Sequence, residues 1–333
     1  MRHPPAEPSG HPEVLLATAE GCWELDEDAP LLTDALADRG IHARPAVWDD
    51  PGVDWERAGV VVVRSTWDYP LRRDEFLEWA AAVSEVTRLV NPVEVIGWNT
   101  DKAYLLDLAR DGLPVVQTWL LPPGHDSRDA AARIREAAGG GGEPDRRVPD
   151  RHVVVKPSVS AGSRDTARFA PDEVDGAVDL AARICAGGRT AMVQPYLDSV
   201  DSIGETGLVY FDGVLSHAFT KDALLTETGE HDRGVFAIES ISPKHPEAGA
   251  ARLGDAVVQA VEQRFGGPPG YLRVDMLVGT DGSPVLLELE ATEPSWFLAT
   301  DPAAAPRAAA MIERHLAAGT GRLRTNRGGT PTG

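Results

Sequence analysis

The chain has 333 residues, 42 % of them apolar and 25 % charged, enough apolar sequence to bury the cores of about two domains. Acidic side chains outnumber basic ones 52 to 32, a formal net charge of −20, so the basic face needed by a general nucleic-acid or anionic-membrane binder is missing. Two cysteines, Cys22 and Cys185, exclude a disulfide scaffold and a cysteine zinc site. No apolar run reaches the ~18 residues of a membrane span, and the first dozen residues lack the apolar core of a secretion signal, so a cytoplasmic protein is expected.

Residues 1–12 and the stretch from about 319 read as loose Pro/Gly-rich tails. Val14–Ala19 reads as a buried strand, and Asp28–Arg39 as a helix with Leu31, Leu32 and Leu36 on one face and Gly40 at its end. Gly59–Ser65 is a second buried strand, followed by a helix over about 72–87 and a short strand at Arg88–Val90. This alternation predicts a parallel α/β domain over 13–98. A helix capped by Asn99-Thr100-Asp101, with Lys102 in its first turn, opens a second unit over 99–190, interrupted by a flexible insertion at 122–150. Within that unit come a strand at His152–Lys156, a small-residue loop at Ser158–Thr166 and a helix at Asp172–Ala186. A third unit, 191–318, starts with a strand at Ala191–Gln194. It contains two hairpins, turning at Asp212-Gly213 and Asp281-Gly282, with a helix at about 248–264 between them. These two units mix helices with antiparallel strands.

The second hairpin is rich in chemistry. A two-residue turn at Asp281-Gly282 sets Asp275 opposite Glu288 and Arg273 opposite Glu290. Alternation then gives these four one face, and Leu272, Val274, Met276, Leu287 and Leu289 the other. Three carboxylates together suit Mg²⁺ or Mn²⁺; a solvated strand face neutralised by Arg273 is the other reading. In VVVKPSVSAGSRD a lysine, Lys156, ends a buried strand before a loop whose small residues let backbone N–H groups approach a polyphosphate; an ordinary surface loop is the alternative. No Walker A or GxGxxG pattern occurs. At Gln194-Pro195-Tyr196-Leu197 a strand stops at proline and leaves free backbone groups for an adenine edge, or makes a plain strand-to-loop transition. Glu205, with Asp201 as competitor, could accept from ribose hydroxyls. Unbulged pairing about Asp212-Gly213 sets Glu205 and Lys221 on opposite faces, so without a bulge they do not share a site.

Together these residues resemble the ATP-grasp superfamily, and VVVKPSVSAGS is similar to the phosphate-lysine loop of D-alanine–D-alanine ligases. The D-cycloserine synthetase type is more similar still, through DEDAPL, PAVWDDPGVDW, VVVRSTWDY, NPVEVIGWNTDKAYL, VQPYL, GETGLVYFDGVLSHAFTK, RVDMLV and LLELEATEPSWFL, spread over about 14–315. Of 32 basic residues only four are lysine, and Lys102, Lys156 and Lys221 fall where that family's phosphate-contacting lysines do; lysine and arginine are not interchangeable on a compact polyphosphate.

The resemblance implies an ATP-grasp fold: an N-terminal parallel α/β domain followed by two α+β subdomains that clasp ATP. It places phosphates on Lys102, Lys156, Ser158 and a loop through Ser160, Gly162 and Ser163, and adenine at 194–197. Glu205 would hold ribose, and Asp275, Glu288 and Glu290 two Mg²⁺ ions, or Mn²⁺ in their place. The reaction implied is activation of a carboxylate as an acyl phosphate and its capture by an amine. Arg273 would stabilise the oxyanion, Lys221 would act beside it, and the loop would exclude water. Arg64, Ser65, Trp67, Arg233 and Trp296 are the candidates for substrate contact; a structural loop anchored by Trp67 is the other reading of Arg64. Asp68, Tyr69, Glu20 and Trp23 share that end of the first domain. After Lys221 the family's glycine pair is missing and Arg233 stands in for its arginine, so the acceptor side departs from the pattern. The partners implied are small-molecule carboxylates and amines, in secondary-metabolite biosynthesis, with a homodimer as one assembly. A small-molecule kinase and a non-catalytic ATP-binding regulator are the rival readings.

Overall fold

A computed structural model of the chain describes residues 13–139, 151–162, 164–223, 229–230 and 240–326. Its first layer runs β1 (Glu13–Thr18), α1 (Ala29–Ala37), β2 (Ala43–Val47), β3 (Ala58–Val63), α2 (Arg73–Val86) and β4 (Leu89–Val90). The four strands are parallel, in order β2-β1-β3-β4. Every residue of β3 is buried, because helices cover both faces of a parallel sheet. The sequence reading missed β2, whose ARPAV carries a proline; at the sheet edge that proline leaves no ladder bond unmade.

Next come α3 (Val93–Asn99), α4 (Tyr104–Arg110), β5 (Trp119–Leu121), α5 (Ser127–Ala137), β6 (Val153–Pro157), β7 (Ala167–Phe169), α6 (Val174–Ala186) and β8 (Ala191–Pro195). The chain continues through α7 (Ser199–Ile203), β9 (Glu205–Phe211), β10 (Val214–Lys221), β11 (Gly229–Glu230), β12 (Ile241–Lys244), α8 (Ala248–Phe265), β13 (Tyr271–Val278), β14 (Pro284–Glu290) and α9 (Ala304–Asn326). Two antiparallel five-stranded sheets result, β11-β7-β6-β8-β5 and β12-β10-β9-β13-β14.

Three local expectations are corrected. Lys102 sits in the turn between α3 and α4, not in the first turn of a helix capped by Asn99; Asp101 starts α4 by accepting the Ala103 N–H at 3.0 Å. The insertion is ordered over 127–137 as α5, begun by an Asp126 cap on Arg128 N–H (2.8 Å) and held by Ala130, Ile134 and Ala137 in the core with α6; 140–150 lie outside the described residues. The last helix runs to Asn326, past the expected boundary at 319.

The cores follow the layers. Val14, Leu16, Val60 and Val62 pack with α1, α9 and Phe211, Phe219, Tyr271 and Trp296, joining the first layer to the second antiparallel sheet. The opposite face of that sheet, with Leu208, Val274, Met276 and Leu289, packs on α8 and α4. Among the described residues no helix is long and apolar enough to cross a membrane.

Candidate active site

A cavity of about 690 Å³ is lined by side chains from the first layer, from both antiparallel sheets and from the segment after β14. One wall is the β13–β14 hairpin. Arg273 pairs with Glu290 and Asp275 with Glu288, as the sequence predicts, although the turn is longer than two residues. Gly279 and Ser283 close it around Thr280–Gly282, and a bulge at Leu287 takes up the extra residue. The bulge turns Leu287 out of the core to the cavity, and Leu286, fully buried, takes the core position assigned to it.

A second bulge corrects the first hairpin. β10 shifts register at Ser216, so Lys221 lies directly opposite Glu205, and its Nζ is 3.0 Å from the Glu205 carboxylate. The discounted pair therefore shares one face, and both residues line the cavity. Gly204 permits this approach: it has φ +79°, and a Cβ there would stand 2.7 Å from the Lys221 carbonyl oxygen.

Lys102 is fixed by its turn. Asn99 donates to the Leu289 carbonyl and accepts the Ala291 N–H, both at 2.7 Å, while the Tyr104 hydroxyl accepts the Leu289 N–H at 2.9 Å. α3 and α4 are thus stapled to β14, and Lys102 Nζ reaches Glu288 at 3.0 Å and the Ser160 carbonyl at 2.8 Å. The loop holding Ser160, Ala161 and Gly162 (φ +64°) lies on the cavity, whereas Ser158 is buried beneath it; its backbone carbonyl accepts the Lys102 N–H, and its hydroxyl has no partner among the described residues. Ser163 and Arg233 lie outside the described residues.

Lys156 lines the cavity from β6, and its ammonium makes no hydrogen bond or ion pair among the described residues. Burial, with the Lys102 and Lys221 charges, pulls its ammonium below the usual range despite the opposing pull of Glu288. Arg273 is 5 % exposed; it grips both oxygens of Asp275 (2.7–3.0 Å), bonds Glu290, and donates to the Ser295 carbonyl at 3.2 Å. Burial pushes Glu288 up, but Lys102 and Lys156 outweigh it and hold the carboxyl at about 2. Burial raises Glu205 to about 7, with Lys221 opposing and Asp275 adding; it also raises Glu290 to about 7, with Arg273 opposing and Glu288 adding. Among the described residues no three His, Cys, Asp or Glu side chains converge as a ready metal site, because Lys102, Lys221 and Arg273 stand between the carboxylates.

At the far end Gln194, Pro195, Tyr196 and Leu197 line the cavity with Leu277 and Leu287, which form an apolar slot; the Tyr196 N–H is already donated to the His152 carbonyl at 2.8 Å. Asp201 is outside the lining; it takes the Tyr196 hydroxyl bond and lies 3.5 Å from Arg168, which stacks on the Tyr196 ring.

The substrate candidates fare unevenly. Trp67 lines the cavity with Tyr69. Arg64, 1 % exposed, does not: it pairs with Asp26 and Asp28, donates to the Pro294 carbonyl and lies 3.8 Å over the Trp296 ring. Ser65 is fully buried against Thr18, and Trp296 is fully buried in the core, so neither faces the cavity. The sequence reading missed Glu293, Asp26 and Glu27, which line it. Glu293 follows β14 outside any strand periodicity, and DEDAPL served as a likeness, without roles for its acids.

Residues 14–91 match the model of the D-cycloserine synthetase DcsG N-terminal domain. The cycloserine biosynthesis protein DcsG of Streptomyces lavendulae is 36 % identical over 302 residues, covering 90 % of this chain and 98 % of that protein. The chain belongs to the D-cycloserine synthetase family. The crystal structure of D-cycloserine synthetase DcsG superposes with a TM-score of 0.81 at 35 % identity, over 91 % of this chain and 99 % of that one. An ATP complex of D-alanine–D-alanine ligase from Bacillus anthracis shares the fold at a TM-score of 0.62 and 14 % identity, covering 96 % and 99 %. This D-cycloserine synthetase-family chain is therefore an enzyme with the ATP-grasp ligase fold, as its motifs imply.

Proposed function

We propose that the chain uses ATP to phosphorylate the carboxylate of a small amino-acid-like substrate and joins the resulting acyl phosphate to an amine, between molecules or by closing a ring, in secondary-metabolite biosynthesis. The observation that carries this reading is the gathering of Lys102, Lys156, Lys221 and Arg273 on one cavity, with Lys156 unpaired among the described residues. An uncompensated, desolvated ammonium favours a polyanion, and lysine is a compact point charge for phosphate. The slot of Leu197, Leu277 and Leu287 beside Gln194 suits a flat base, and Glu205 suits ribose hydroxyls.

The carboxylate oxygen attacks the γ-phosphorus and ADP leaves, held by Lys102, Lys156 and the 160–162 loop. The amine then adds to the acyl carbon, the oxyanion develops against the Arg273 guanidinium, and phosphate departs. The donor set fits a hard cation: Asp275, Glu288 and Glu290 offer only oxygen, and Glu288 is ionised throughout the working range. These three would hold two Mg²⁺ ions, or Mn²⁺, which would supply charge neutralisation for the polyphosphate.

The test is Glu288→Ala. ADP release should fall at least about 100-fold, with the far-UV circular dichroism spectrum unchanged, because Glu288 is a cavity side chain and not a core one. Turnover at the unmutated rate would refute the assignment.

A further inference from the structure

We infer that Glu293 receives the ammonium group of the substrate and so fixes which end of an amino acid faces the phosphates. This rests on the ligase reading and adds to it the orientation of the substrate. Among the described residues the cations on the cavity are Lys102, Lys156, Lys221 and Arg273, all on the two antiparallel sheets or the turn stapled to β14. The first layer brings none: Arg64 is 1 % exposed and spent on Asp26 and Asp28. What the first layer and the segment after β14 bring instead is Glu27, Glu293 and the aromatic rings of Trp67 and Phe297.

Carboxylate with aromatic faces is the chemistry that binds a primary ammonium, and it repels a second carboxylate. Glu293 has no hydrogen bond or ion pair among the described residues, unlike Glu288, Glu290 and Glu205 on the same cavity and Asp275 buried behind Arg273. Glu293 shares the cavity wall with Trp67 and Tyr69 of the first layer. Burial, then Glu290, hold the Glu293 carboxyl well above the usual range against the opposing pull of Lys102 and Arg273, a state that an incoming cation relieves. An amino acid entering with its carboxylate toward Arg273 and the lysines meets Glu293 with its amine.

The experiment measures ADP release with Mg·ATP over a panel of D- and L-amino acids, each paired with the acid in which hydrogen replaces the amine. Unmutated protein should prefer the best amino acid over its partner by roughly 10- to 100-fold in kcat/KM, the range of one charge-assisted hydrogen bond. Glu293→Gln should erase most of that preference through KM of the amino acid, leaving KM of the desamino acid within about threefold. Equal use of each pair by the unmutated protein, a comparison that needs no variant, overturns the assignment, as does a preference that survives in Glu293→Gln. No ADP release with any acid would instead overturn the ligase reading.

Discussion

Asp28→Asn should destabilise the enzyme severely, although Asp28 is far in sequence from everything it holds. One carboxylate oxygen accepts the Leu298 N–H (2.7 Å); the other accepts Trp296 N–H (2.6 Å) and Phe297 N–H (3.1 Å) and meets Arg64 at 3.1 Å. An asparagine keeps one acceptor and turns an NH₂ toward donors, so at least one backbone N–H is orphaned in a buried place, at about 1–3 kcal/mol. It also removes one of the two carboxylates that neutralise Arg64, which is 1 % exposed. Breaking a buried pair of this type costs about 3–5 kcal/mol. At about 2 °C per kcal/mol for a large domain, Tm should fall by at least about 6 °C in differential scanning calorimetry. Arg64→Met should cost a similar amount, and the double variant less than the sum of the two, since each single change leaves charge buried without its partner. As a control, Arg133→Gln, which removes an exposed pair with Glu136, should change stability by under about 0.5 kcal/mol. A Tm for Asp28→Asn within 1 °C or so of the unmutated protein would refute the reasoning, because the same contacts would then contribute nothing.

Lys156→Met should raise Tm by a few degrees while weakening ATP binding at least about 10-fold, since it removes a desolvated cation kept for a ligand; calorimetry and fluorescent-nucleotide titration read the two effects, and a fall in both would contradict it. His217 is buried, with Nε2 donating to the Trp296 carbonyl at 2.7 Å, and burial, the largest cause, pulls its imidazole below the usual range. A depressed folded-state pKa means that the unfolded chain takes up the proton first, so stability falls as pH drops below about 6.5 toward the folded pKa. Urea unfolding from pH 7.5 to 5 should show that loss, and His217→Gln should flatten it; the same slope in both proteins would assign it elsewhere.

Residues that obey a period could be placed from sequence, and those that break one could not. Arg273, Asp275, Glu288 and Glu290 came out opposite one another because alternation fixes a strand face, even with the turn length misjudged. Leu287 and the Glu205–Lys221 pair were misassigned because a bulge has no periodic signal; Ser216 looks like any strand residue until its partners are known. Arg64 stood at the ligand end of a parallel strand, and only the fold shows that Asp26 and Asp28 reach it first. Glu293 carried no signal because the chain after β14 is irregular, so its direction depends on tertiary contacts with the first layer.

The most direct test of the central claim is product analysis of the purified enzyme with Mg·ATP and pooled D- and L-amino acids, their O-ureido and hydroxamate derivatives and dipeptides. Nucleotide, free phosphate and mass change are to be read in the same tubes. ADP and phosphate should appear in equal amounts with a new amide or a ring-closed substrate lighter by one water. ADP without free phosphate, beside a product heavier by one phosphoryl group, would contradict the ligase account and make the enzyme a kinase.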